Sequence, residues 1–448
     1  MSLLFLGFAA GLPLLLVFGT LSFWLREAGV SRSSIGFASW ILLAYSLKFV
    51  WAPLLDSVRP PRLLRGLGRR RGWMLVAQIG VMSGLLGMAF TDPQLHLHTL
   101  IGFAVFTAFA SSTQDVVIDA YRIECAPQEE QAALAATYQL GYRIGMIAAG
   151  AGALVLADQF AGASLVEHYD YMAWRYTYAC MAMLMLVAVL TTLMIAAPIN
   201  TATLYAGPRR SVPQWFEDVV WAPVLEFMNR YGKLAVVILA LIATYRISDL
   251  VLGVITNVFY QDLGFTKTQV GLVSKGYGLV MTLVGAFVGG ALAPKIGATR
   301  LLLLGAVLVA ATNLLFAWLS GQAPTTQVLI MVISADNFSG GLATTGFLAY
   351  LSGLTSVQFS ATQYAVFSSL MSVIPKILGG FSGSFVDHTS YPTFFIVCAL
   401  LGLPAIGLIL WLRRLTGDAP DQLVTQSAQA ADGDAAANKD ASIGGRSS

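Results

Sequence analysis

Apolar runs of about 20 residues recur along nearly the whole chain, parted by short polar punctuation, and that is the length an α-helix needs to cross a hydrocarbon core roughly 30 Å thick. Inside such a core each backbone N–H and C=O must find its partner within the chain, which leaves the helix as the conformation for each run. The charge content agrees: 11% of the 448 residues are charged and 57% hydrophobic, where a soluble domain carries about 25% charged residues. Such a chain cannot coat a water-facing surface. The first run, Leu3 to Leu25, is too long for the apolar part of a cleaved signal peptide and has no basic residue before it, so it is expected to stay in the membrane. The bare Met-Ser ahead of it leaves open a natural start further upstream.

Reading the runs and their breakers places spans near 3–25, 34–55, 72–91, 97–123, 130–157 and 173–197, then near 233–260, 269–293, 299–320, 325–355, 361–387 and 391–412. The reading is an all-α membrane protein of twelve transmembrane helices in two six-helix halves, residues 1–197 and 233–414. Residues 198–232 are expected to form a cytoplasmic linker. Within it Ser211, Pro213 and Gln214 resemble a helix start, and Trp215, Phe216 and Val219 share the apolar face of a helix lying at the membrane surface. Residues 415–448 hold no aromatic side chain and too little apolar surface to order, so a disordered cytoplasmic tail is expected.

Fifteen lysines and arginines fall in or beside the loops of one side, against four on the other: Arg26, Arg32, Arg175 and Lys267. The positive-inside rule then puts both termini in the cytoplasm, which requires an even number of spans. A duplication shows in charged residues recurring at similar distances: Lys48 and Lys275, Asp115 and Asp336, Asp158 and Asp387. The net charge of +3 indicates no nucleic-acid surface. Cys125, Cys180 and Cys398 have neither CxxC nor metal-ligand spacing, and no metal or cofactor is expected.

Ionisable side chains at membrane depth are costly, so each is a candidate for function and each needs a partner. They are Lys48, Asp115, Asp119, Arg143, Arg246, Asp249, Lys275, Asp336 and Lys376. Asp115 and Asp119 lie one helical turn apart beside Gln114 and Ser111. Two carboxylates so placed repel, so one is expected to hold a proton unless Arg143 or Lys48 intervenes, and a structural ion pair is the plainer alternative. Asp115, Asp119, Asp249 and Asp336 are the candidates for proton coupling. Arg246 and Asp249 sit at i, i+3, where they can simply neutralise one another. Lys275 has no acid on its own helix and needs Asp336 or an anionic solute. A cavity between the halves is expected to be lined by Tyr45, Lys48, Gln114, Tyr138, Arg143, Arg246, Lys275, Asn337 and Gln363, along with the acids of helix 4. The loop after helix 2 carries Asp56, then Arg59, Arg62, Arg65, Arg69, Arg70 and Arg71. Its plain reading is the positive-inside rule and contact with anionic lipid. The functional reading is a gate, with Asp56 paired to an arginine among Arg69, Arg70 and Arg71 across the cytoplasmic mouth.

The segments GFAAGLPLLL from Gly7, KFVWAPLLD from Lys48, GRRRGWMLVAQ from Gly68, SSTQDVVIDAYR from Ser111, LGYRIGM from Leu140 and FSATQYAVFSSL from Phe359 together resemble the AmpG muropeptide permeases of Gram-negative bacteria. The likeness runs over residues 3–412. It implies the major facilitator superfamily fold and a monomer in the inner membrane that imports anhydromuropeptides by proton symport. It also implies a part in cell-wall recycling and an indirect role in β-lactamase induction. More distant relatives carry other anionic solutes such as acetyl coenzyme A, which is the alternative substrate. The alternative from another class is an intramembrane enzyme: the DxxxD of Asp115 and Asp119 is similar to the magnesium-binding acids of membrane prenyltransferases. Such enzymes need a second acidic cluster, and here only the lone Asp336 stands opposite.

Overall fold

The computed structural model describes residues 1–52, 55, 58–125, 131–161, 169–196, 222–354 and 360–416. It is helical throughout, with no strand among the described residues. In the first half α1 is Ser2–Glu27, α3 Arg69–Ala89 and α4 Pro93–Glu124. Between α1 and α3, α2 is a succession of short turns, Arg32–Ala38, Ser39–Leu42, Leu43–Ser46 and Lys48–Val50. Then α5 runs from Gln131–Ile147 through Ala148–Gly152 to Ala153–Ala161, and α6 is Tyr171–Met194. A short helix, Ala222–Tyr231, precedes the second half. There α7 is Lys233–Asp262, α8 Lys267–Ile296, α9 Ala298–Leu319 and α10 Thr326–Leu354. Its last two helices are α11, in two pieces, Ser360–Gly379 and Ser382–His388, and α12, Tyr391–Leu415. The expected helix beginning at Ser211 and the chain beyond residue 416 lie outside the described residues.

Among the described residues, ten of the twelve are long and apolar enough to cross a membrane. The other two, α2 and α11, are broken, and they face each other across the boundary between the halves. Large apolar side chains point outward on the rest, Phe287 at 79% exposure and Val236 at 60%, as lipid-facing surfaces require.

Helices in lipid gain no hydrophobic drive from packing on each other and depend on close contact between small residues. The first half does this along α1 and α5. A Cβ on Gly11 would stand 2.1 Å from the Tyr142 carbonyl oxygen, and one on Gly145 would stand 2.2 Å from that of Phe8. In the second half α8 and α10 are joined the same way, with a Cβ on Gly285 falling 2.0 Å from the Phe338 carbonyl. Three helices are widened into π-turns, α1 at Leu15–Gly19, α5 at Ala148–Gly152 and α8 at Val270–Tyr277, and the three meet. Gly150 lies against the Lys275 stem, and Gly271 against Ala151. Such turns leave backbone carbonyls without their usual helical partners. The Gly19 carbonyl accepts from Asn257 of α7 at 2.8 Å, and that of Ala149 accepts from Thr20 at 2.6 Å.

Candidate functional site

Behind the meeting π-turns lies a cavity of about 290 Å³ between the halves. Arg143 of α5 enters it from the first half. From the second come Asp249, Thr256 and Tyr260 of α7, Ser274 and Lys275 of α8, and Asp336 and Asn337 of α10. Asn337 is held in place, accepting from Thr282 at 3.0 Å and donating to the Ile333 carbonyl at 3.1 Å. Arg246, expected in this cavity, is not among its lining residues: Asp249 and Thr344, the latter at 2.7 Å, hold it in a separate small pocket. Arg143, Lys275 and Asp336 make neither hydrogen bond nor ion pair among the described residues. Lys275 and Asp336 therefore share the cavity without bridging it. Charged groups that face an enclosed space unpaired are disposed to receive a polar, charged ligand.

A second polar group sits apart from this cavity, inside the first half. The Tyr45 hydroxyl, Ser111 Oγ, both polar atoms of the Gln114 amide and Asp115 Oδ1 are buried with no hydrogen-bond partner among the described residues. Spacings of three and four residues bring Ser111, Gln114 and Asp115 to one face of α4, which packs on α2. Lys48 lies within electrostatic reach of Asp115 and Asp119. Asp119 has a closer partner in Arg122, at 3.7 Å. Arg143 belongs to the central cavity and makes no ion pair with Asp115. The Tyr138 ring stands beside that of Tyr142, 6.2 Å between centroids. Gln363 falls in α11, with its side chain outside the described residues, and Asp56 is likewise outside them. Of the arginines expected at a gate, Arg70 is buried against Glu124 of α4 at 2.6 Å, and Arg71 donates to the Thr192 and Leu193 carbonyls at the end of α6. Both contacts stay within the first half.

Among the described residues, the charged contacts that cross between the halves gather at the opposite end. Glu27, closing α1, receives Lys267 of α8 at 2.9 Å. Asp262, closing α7, receives Arg32 of α2 at 2.7 Å and Arg26 at 2.5 Å. Asp158 at the end of α5 accepts from Thr268, while Asp387 at the end of α11 accepts from Ser33 and Arg32. These pairs are related by the duplication. Residues 26–34 read REAGVSRSS and 261–269 read QDLGFTKTQ, so acid, glycine, hydroxyl cap, base and second hydroxyl recur 235 residues apart. Gly29 and Gly264 turn both connections, at φ of 83° and 91°, a region open to glycine without strain. Ser31 and Thr266 then cap the helices that follow. Beneath the ion pairs α2 and α11 touch backbone to backbone: a Cβ on Gly383 would stand 1.8 Å from the Arg32 carbonyl oxygen. At mid-depth Lys376 donates across the same seam to the Leu42 carbonyl and to Ser46, at 3.0 and 2.6 Å. Attention to charges at membrane depth missed this ring, because its residues lie at helix ends where charge is cheap. The repeated segment was the signal available in the sequence.

A model of the Major Facilitator Superfamily matches residues 3–252 and 234–435. A protein of Escherichia coli (strain K12) named anhydromuropeptide permease is 35% identical over 413 residues, which is 92% of this chain and 79% of that one. The chain belongs to the AmpG permease family. Another AmpG relative, a putative transporter of Rickettsia felis, is 33% identical over 409 residues, or 91% of this chain and 95% of its own. Among solved structures, the nucleoside transporter NupG superposes with a TM-score of 0.68 at 14% identity, covering 92% of this chain and 98% of that one. A POT family transporter does so at 0.69 and 12%, covering 92% and 95%. At such identities the likeness carries the fold, and it is the fold of two six-helix halves. This AmpG-family chain is thus a multi-pass membrane transporter with the major facilitator fold.

Proposed function

We propose that this transporter imports anhydromuropeptides across the inner membrane, from periplasm to cytoplasm, by proton symport, as a monomer with both termini in the cytoplasm. The observation that carries the reading is the cavity between the halves, where Arg143 and Lys275 stand unpaired among hydroxyls and the Asn337 amide. Muropeptides present carboxylates together with hydroxyls and amides, and two cations ringed by neutral donors and acceptors suit the acidic end of such a solute. The name of the Escherichia coli relative points the same way. With this orientation the seam of ion pairs is periplasmic, and the described conformation is closed on that side.

Proton coupling is assigned to Asp115. It lies in the buried group with Tyr45, Ser111 and Gln114, apart from the cavity, so the proton and the solute occupy different places in one bundle. A carboxyl that gains and loses a proton as its surroundings change between two states couples the gradient to the rocking of the halves.

The test is uptake of labelled anhydromuropeptide by purified protein in liposomes under an inward proton gradient, with acetyl coenzyme A offered as competitor. Lys275→Gln removes a charged contact worth about 1.5–3 kcal/mol, so KM is expected to rise roughly 10- to 100-fold. Asp115→Asn is expected to abolish accumulation against a gradient while counterflow continues. Uptake of acetyl coenzyme A in place of muropeptide overturns the substrate, and accumulation by Asp115→Asn moves the proton to Asp119, Asp249 or Asp336. Single cysteines at Gln94 and Gln322 are expected to label from the periplasm and one at Pro208 only after permeabilisation. The reverse pattern overturns the orientation.

A further inference from the structure

A cavity of about 390 Å³ opens on the outer flank of the first half, between α2, α3 and α4 and separate from the central one. Its walls include the rings of Trp51, Trp73, Phe106 and Phe109. Every polar side-chain atom in the lining is already engaged. Thr113 accepts from the Trp51 indole at 3.2 Å and donates to the Phe109 carbonyl at 2.8 Å, and the Trp73 indole donates to the Val58 carbonyl at 2.9 Å. Among the described residues no free polar group lines the slot, and such a lining suits a hydrocarbon. Phe106 and Phe109 are each 48% exposed on the flank, so the slot is continuous with the acyl region of the bilayer.

One end of the slot is Val58, where the chain leaves α2. Arg59, Arg62 and Arg65 follow at once and are exposed. None of the three has an acidic partner among the described residues; Arg65 makes one long contact, 3.4 Å, to the Pro60 carbonyl. Between them Leu63 projects at 96% exposure, as expected of a segment that rests on the membrane with its leucine in the acyl layer and its guanidinium groups at headgroup level. Positive-inside topology alone accounts for arginines in this loop. It does not account for a hydrocarbon slot ending where they begin.

We propose that the slot binds one anionic phospholipid, with an acyl chain between Trp51, Phe106 and Phe109 and its phosphate on Arg59 and Arg62, Arg65 standing by. Guanidinium groups match phosphate oxygens in pairs, and basic side chains at the membrane surface favour anionic over zwitterionic headgroups. The lipid supplies packing for α2 where that helix is reduced to short turns, and so steadies the part of the first half that faces α11.

The purified full chain in detergent is offered equal amounts of phosphatidylglycerol and phosphatidylcholine with identical acyl chains, and retained lipid is counted by native mass spectrometry. One phosphatidylglycerol is expected to stay bound, about tenfold in preference to phosphatidylcholine. Arg59→Gln with Arg62→Gln and Arg65→Gln is expected to bring that ratio to about one. Val76, partly exposed in the slot wall, tolerates a large side chain, and Val76→Trp is expected to lower retention of both lipids about tenfold. Equal retention by the unaltered chain overturns the proposal, as does full retention by a monodisperse Val76→Trp protein, which places the lipid elsewhere. If Val76→Trp does not remain monodisperse, the loop variant decides alone: an undiminished preference for phosphatidylglycerol overturns the headgroup site.

Discussion

The two ends of the bundle hold their charges differently. At the end formed by the α1–α2 and α7–α8 connections, acids of one half receive bases of the other, Glu27 with Lys267 and Asp262 with Arg26 and Arg32. At the opposite end, among the described residues, Arg70 meets Glu124 and Arg71 meets the end of α6, both within the first half. Two rigid halves that must expose a site alternately to either side need contacts that form at one end while the other is apart. Charges suited to that exchange are those that cross and, being partly exposed, can be rehydrated when they part. The Arg70–Glu124 pair, 1% exposed on both sides, is far costlier to open, because each charge would be stranded in low dielectric.

The most damaging change is expected at the glycines under the ion pairs. Gly383→Leu puts a side chain where the Arg32 carbonyl already lies, so α2 and α11 cannot close. Overpacking of this kind opposes closure by about 3 kcal/mol, roughly a hundredfold in population. Spin labels on exposed Ser34 and His388 should move apart, and uptake should fall with it while the protein stays folded. An unchanged distance would mean that the glycine contact is incidental to the seam.

A smaller effect separates the two ion-pair centres themselves. Asp262 also accepts from the Tyr391 hydroxyl at 2.5 Å and serves two arginines, whereas Glu27 serves Lys267 and the Trp174 indole. Asp262→Asn is expected to shift the balance toward the parted state by about 2 kcal/mol, near thirtyfold, and Glu27→Gln by about 1 kcal/mol. The same pair of labels reports both. Equal shifts would show that Arg26 contributes nothing to holding this end.

The spans were legible because bilayer thickness imposes a length that no other constraint mimics, and Arg143, Lys275, Asp336 and Asn337 stood out because polar groups at that depth are rare. Their sorting was not legible. Asp115 and Lys275 look equivalent in the sequence, yet one lies in a closed group against α2 and the other faces the cavity, a difference set by packing between helices distant in the chain. The seam escaped for the opposite reason: Glu27, Arg32, Asp262 and Lys267 occupy connections where charge is unremarkable, and only the recurrence of REAGVSRSS as QDLGFTKTQ marks them.

The smallest expected effect tests the quiet end. Arg71 gives its guanidinium to two α6 carbonyls, Thr192 at 3.0 Å and Leu193 at 2.7 Å, and so satisfies acceptors left over at a helix C-terminus while placing positive charge against the negative end of its dipole. Both partners move with Arg71 whichever way the halves rock, so the contact cannot distinguish one state from the other. Arg71→Gln should therefore lower the thermal midpoint by a few degrees, corresponding to about 1 kcal/mol. It should leave the Ser34–His388 label distance and the KM for uptake unchanged. A change in that distance would show that the basic loop after α2 reaches across the mouth in the other state, and would support a gate in which Asp56 pairs with an arginine among Arg69, Arg70 and Arg71.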